Sequence, residues 1–120
     1  MFRSHSSTAY ALLRIVAGLL FSLHGFQKLF GLFGRDAVPL ASQLGLAGVI
    51  ETVGGLAIAF GFYTSIVAFI ASGQMAVAYF QAHLPAGFWP IANGGELAVL
   101  YCFLFLYICT RGTVKWGVRG

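Results

Sequence analysis

"AYALLRIVAGLLFSLHGFQKLF" (residues 9–30) is apolar for most of its length, yet it carries Arg14, His24 and Lys28. A helix that crosses a bilayer needs about 20 mostly apolar residues, and this run supplies them. Three more windows qualify, at about Leu44–Phe62, Ser65–Gln81 and Asn93–Thr110. Lipid leaves no partner for the unpaired backbone groups of a lone strand. The chain is too short for a β-barrel and shows no two-residue alternation. The expected fold is an all-α membrane protein, an antiparallel bundle of four transmembrane helices forming a single domain over residues 1–120. Ser7 and Thr8 are candidate caps for the first helix.

Composition supports a lipid solvent. The 120 residues are 59% hydrophobic and 8% charged, with a mean hydropathy of +0.87, whereas soluble domains carry about 25% charge. A soluble fold this small leaves a large share of its surface exposed. Seven Lys and Arg against three Asp and Glu are too few and too scattered for a nucleic-acid surface. Arg3 followed by an apolar stretch resembles a signal peptide, but no small-residue cleavage site ends the run and Arg14 interrupts its centre. It reads as a retained first span.

The connections set the topology. "GFYT" (61–64) is tight and makes the second and third spans antiparallel neighbours. "GLFGRDAVPLASQ" (31–43) contains Asp36 and Pro39. "HLPAGFWP" (83–90) places Phe88 and Trp89 where an interfacial aromatic belt is expected. Arg3, Arg111, Lys115 and Arg119 gather on the side of the two termini, against Arg35 and its neighbour Asp36 on the other. Positive-inside counting puts both termini in the cytoplasm.

Five polar residues share a depth. At about 1.5 Å per residue, His24 lies about 22 Å and Lys28 about 28 Å from the cytoplasmic end. Glu51 lies about 10 Å below the outer end of its span. Glu96 lies about one turn into the fourth span, close to the depth of Lys28, and His83 follows the third span on the same side. Arg14, Gly18, Phe21, Gly25 and Lys28 form one helical stripe. Gly48, Glu51 and Gly55 form a small-residue stripe of the kind that lets membrane helices approach. Asn93, Glu96, Leu100, Phe103 and Tyr107 are the corresponding stripe on span four. The expected pairs are His24 with Glu51 and Lys28 with Glu96.

Structural pairing alone would account for these charges. The greater weight falls on a lined polar site, because ionisable groups in a membrane are costly and concentrate at functional sites. Arg14 has no acidic residue at its depth. Snorkelling is its expected behaviour, with carbonyls, lipid phosphates or Tyr107 as partners. Cys102 and Cys109 lie too far apart along a helix for a disulfide and read as small apolar side chains. No zinc or other metal-ligand spacing occurs. Glu51 in "IETVGGL" and Glu96 in "NGGELAVL" form a faint internal echo, as from two duplicated helical hairpins.

The pieces "RIVAGLLFSLHGFQKLFG" (14–31), "ETVGGLAIAFGFYT" (51–64), "MAVAYFQAHLPAGF" (75–88) and "NGGELAVLYCFLFL" (93–106) occur in order. Together they resemble the DoxX family of small four-span membrane proteins. The resemblance implies a bacterial cytoplasmic membrane and an association with redox chemistry, as subunits of quinone-reducing, sulfur-oxidising or oxidative-stress complexes. Its motif positions map onto His24, Lys28, Glu51, His83 and Glu96. Ser65 departs from the family pattern, which often has an arginine there.

Three functions compete. In the first, the chain is a redox-linked subunit whose outer half binds a quinone or a similar lipophilic ring, with a His–Glu pair to bond its carbonyls and pass protons. The chain has no Fe–S cysteines and no nucleotide-binding loop, so a partner protein would carry the electrons. Haem on His24 and His83 is disfavoured, because two histidines at one depth do not specify it. In the second, the chain is a permeation subunit for protons or a small solute, and its small size then calls for a homo-oligomer. In the third, it is a non-catalytic assembly subunit whose charges serve only the fold. No catalytic residue is assigned.

Overall fold

A computed structural model describes residues 2–31, 42–90 and 94–118. Among the described residues the structure is all-helical, with four α-helices: α1 (Ser6–Phe30), α2 (Gln43–Phe60), α3 (Thr64–Ala78) and α4 (Glu96–Arg111). Arg35, Asp36, Pro39, Asn93 and Arg119 lie outside the described residues.

Local chemistry sets the helix ends. His5, at the end of a 3-10 turn (Phe2–His5), precedes α1 and makes no side-chain cap; the cap expected at Ser7 or Thr8 is therefore absent, because the helix already starts at Ser6. Ser42 caps α2, its hydroxyl accepting from the Gly45 amide at 3.0 Å, which satisfies an amide the first turn leaves open. Gly31 and Gly61 end α1 and α2 in left-handed conformation, with φ of 70° and 72°, where a Cβ would be strained. Beyond Ala78 the chain continues through a π-helical turn (Tyr79–His83) and a 3-10 turn (Leu84–Ala86).

Two helical stretches, Phe2–Phe30 and Thr64–Ala86, are long and apolar enough to cross a membrane; Gly45–Phe60 is apolar but shorter. With 18 and 16 residues, α2 and α4 rise about 27 and 24 Å. All four helices turn large apolar side chains outward, among them Val16 and Leu20 on α1, Val53 on α2, Phe69 on α3 and Phe103 on α4, each about half exposed or more.

The helices pack chiefly as two pairs, α1 with α2 and α3 with α4. The first pair meets backbone to backbone. A Cβ on Gly18 would come within 2.6 Å of the Gly55 carbonyl, and one on Gly55 within 2.5 Å of the Ser22 amide. The small-residue stripes read from the sequence are this seam. In the second pair Ala68 and Ala71 are fully buried, and the Ser72 hydroxyl donates to the Cys102 carbonyl at 2.7 Å. Aromatic rings bridge the pairs: Phe21 of α1 lies 4.7 Å from Phe105 and 5.4 Å from Tyr101, both on α4. Cys102 and Cys109 are free thiols.

The inward face of α4 is Ala98, Tyr101, Phe105 and Ile108. This corrects the expected stripe. Leu100 and Phe103 are 63% and 64% exposed, on the opposite side, and Glu96 is exposed with them. The fourth helix is apolar on all sides, so its periodicity marks no interior.

Arg14 is also corrected. It does not snorkel: it is fully buried, and of the expected partners it takes the carbonyls. Its guanidinium donates to the carbonyls of Ile58 and Ala59 at 2.6 and 3.0 Å, and to those of Lys115 and Trp116 at 2.7 and 2.9 Å. The first two belong to the last turn of α2, where helical donors run out; the Ile58 carbonyl is shared with the Gly61 amide at 3.2 Å. The other two belong to the segment after α4, which folds back beneath the bundle. There the Val118 amide donates to the Phe60 carbonyl at 3.0 Å, the hydroxyls of Thr64 and Thr113 lie 2.8 Å apart, and the Tyr10 hydroxyl donates to the Gly112 carbonyl at 2.7 Å.

Candidate functional site

At the end of the bundle away from Arg14, a cavity of about 860 Å³ lies between the two helix pairs. Its walls are mainly apolar, but His24 and Lys28 of α1, Glu51 of α2 and His83 of the π turn line it. Four of the five residues read from the sequence therefore share one cavity. Glu96 does not line it. Its carboxylate is exposed in the first turn of α4, where the helix dipole favours negative charge, and it makes no ion pair among the described residues.

The pairing differs from the expected one. Lys28 Nζ lies 2.6 Å from Glu51 Oε1, and the two side chains are 15% and 2% exposed. The Gln74 amide of α3 donates to Glu51 Oε2 at 3.3 Å. Both carboxylate oxygens are thus engaged, one from each helix pair. The glycine seam explains the partner choice. A Cβ on Gly48 would sit 3.2 Å from the Lys28 Cβ, so Lys28 is level with Gly48 and its stem reaches one turn along α2 to Glu51. His24 turns toward α4 instead, with its ring edge-on to Tyr101 at a centroid distance of 6.1 Å.

His83 stands on the π-helical turn beside Tyr79, ring centroids 6.3 Å apart. Gly95 packs against both, since a Cβ there would come within 2.7 Å of each. A π turn inserts one residue into a helix and redirects the side chains after it, and such turns are frequent at functional sites.

The sequence reading missed Gln74, Gln81 and Tyr101, which also line the cavity. Gln74 and Gln81 carry the only side-chain amides of their span and lie two turns apart on one face; that spacing was the available signal. Gln74 Oε1 is buried and has no hydrogen-bond partner among the described residues. A buried acceptor left unpaired is costly, and this one is on the cavity wall. The cavity thus presents an ion pair, an open amide acceptor and two imidazoles in apolar surroundings. That set can hydrogen-bond a small polar group carried on an apolar body. No group of three His, Cys, Asp or Glu suited to a metal ion occurs among the described residues.

No solved structure matches this chain. A protein of Haemophilus influenzae (strain Rd), described as an uncharacterized protein, is 44% identical over 109 residues, which covers 85% of this chain and 81% of its own. The DoxX family model matches residues 9–84, from α1 through the π turn with His24, Lys28, Glu51 and His83; α4 and Glu96 lie beyond the match. With the cavity residues inside the matched segment and the relative extending the likeness over most of the chain, the protein belongs to the DoxX family.

Proposed function

We propose that this chain is a redox-linked membrane subunit whose cavity binds a quinone or a similar lipophilic ring. The observation that carries the reading is the cavity between the helix pairs, mainly apolar but lined by Lys28–Glu51, Gln74, Gln81, Tyr101 and two histidines. Its volume falls within the range of small-molecule sites, about 300–1,000 Å³. A bound quinone would supply two-electron chemistry coupled to proton uptake. The chain's own residues bind and orient: Lys28 is a donor toward a ring carbonyl, the open Gln74 Oε1 is an acceptor for the hydroxyl of the reduced ring, and His24 and Glu51 are the groups that would exchange protons there. The electrons would come from a partner protein.

The same reading has the chain spanning a bacterial cytoplasmic membrane four times with both termini inside. The outward apolar faces of all four helices, the two shorter ones included, support the spans. Arg3, Arg111 and Lys115 at the Arg14 end support the orientation.

Purification in a gentle detergent followed by native mass spectrometry tests the function. The expected result is a retained quinone-class molecule, one per chain. Chains that retain nothing and take up no added quinone would overturn it. A structural role is the second reading, favoured because Glu51 is fully satisfied by Lys28 and Gln74 without a ligand.

A further inference from the structure

The tight turn between α2 and α3 holds these helices in contact near it: a Cβ on Gly54 would meet Val67 at 3.4 Å. Farther from the turn their facing residues line the cavity instead, Leu46 and Ile50 on α2, and Ile70, Gly73 and Val77 on α3. Leu46, Ile70 and Val77 are 59%, 51% and 50% exposed, while Met75 and Ala98, which line the same cavity, are 7% and 8% exposed. The cavity is therefore continuous from the apolar outer surface to the core. Gly73 is central to this gap. Glycine weakens a helix interior relative to alanine, and here it gains no close packing in return, because a Cβ at Gly73 would meet nothing within 4 Å. The glycines of the α1–α2 seam are explained by contact; Gly73 is not. Its effect is to leave room between Ile70 and Val77, which flank it on the same face of α3.

We infer that the gap between α2 and α3 is a lateral entrance from the bilayer, kept open by Gly73, through which a hydrocarbon-tailed lipid places its polar head against Lys28–Glu51 while its chain lies between the two helices. The apolar rim suits a hydrocarbon chain, and the polar residues lie at the inner end, where a head would sit. This inference takes its site from the proposed function, and the two are separable by experiment.

The test uses the full chain in nanodiscs containing a phospholipid with a photoreactive diazirine at the head-proximal end of its acyl chain, with labelled positions mapped by mass spectrometry. The wild type and Gly73→Ala should label at the inner wall, around Met75 and Ala98. Gly73→Trp should lower that labelling at least fivefold and leave labelling at the outward Phe69 and Phe103 unchanged. If Gly73→Trp fails to fold, Val77→Trp should give the same loss. No inner-wall labelling in the wild type, or labelling in the tryptophan variants equal to that of the wild type, would overturn the entrance. Adding a decyl-substituted benzoquinone separates the two ideas. Inner-wall labelling that it does not displace would remove the quinone reading and keep the entrance. Displacement by the quinone, with labelling unaffected by the blocking variants, would keep the quinone reading and remove the entrance.

Discussion

Lys28 and Glu51 form an ion pair of 2.6 Å across the α1–α2 seam, with the carboxylate 2% exposed. The seam makes the pair available, because glycines at 18, 25, 48 and 55 bring the backbones close enough for a side chain near the end of α1 to reach one turn along α2. Gln74 then ties the carboxylate to the second helix pair. The polar wall of the cavity is thus also a link between the helix pairs.

Breaking one side of this link leaves the other charge buried and unpaired, at a cost of about 3–5 kcal/mol. Lys28→Met or Glu51→Leu alone should lower the melting temperature in detergent. The double variant should recover most of the loss. Single variants as stable as the wild type would show that the pair does not hold the fold.

Arg14 holds the last turn of α2 and the segment after α4 through four carbonyls. Arg14→Ala should cost about 3 kcal/mol or more, since each carbonyl loses a charged donor. Arg14→Lys should restore only part, because an ammonium lacks the planar fork. Limited trypsin digestion gives a second readout: Lys115 should be cleaved faster in Arg14→Ala. Equal cleavage and equal melting would contradict the role.

Glycines of two kinds should respond differently to alanine. Gly55→Ala forces a Cβ into the α1 backbone and should destabilise by about 1–3 kcal/mol. Gly73→Ala meets open space and should be neutral, or stabilising by about 0.5–1 kcal/mol. Melting curves of the two proteins should move in opposite directions, or only the first should move.

Glu96→Gln should change stability by no more than about 0.5 kcal/mol, as expected for an exposed side chain without an ion pair. A loss as large as that of Glu51→Leu, in the same melting assay, would mean that Glu96 has a buried partner.

Helix positions are legible because apolar windows are long and glycines punctuate them: the sequence predicts a second span at 44–62 and α2 is Gln43–Phe60. The inward faces of α1 and α2 were legible for the same reason, since small residues mark a close seam. Other features left no such mark. The outward turn of Glu96 is hidden because α4 is apolar almost all round, and a single carboxylate in its first turn gives no face. Depth counted from the helix ends does not find the partner of Lys28, because the seam sets Lys28 level with Gly48. The partners of Arg14 are backbone carbonyls, which every residue has and no sequence pattern distinguishes.

The central claim is that the wall formed by Lys28, Glu51 and Gln74 recognises the polar part of a lipophilic ring. Equilibrium binding of a decyl-substituted benzoquinone, compared between the wild type and the refolded-stable Lys28→Met/Glu51→Leu double variant in nanodiscs, tests it most directly. The account predicts one saturable site per wild-type chain and at least tenfold weaker binding in the double variant. Equal affinity in the two proteins, or no saturable binding to the wild type, would contradict it.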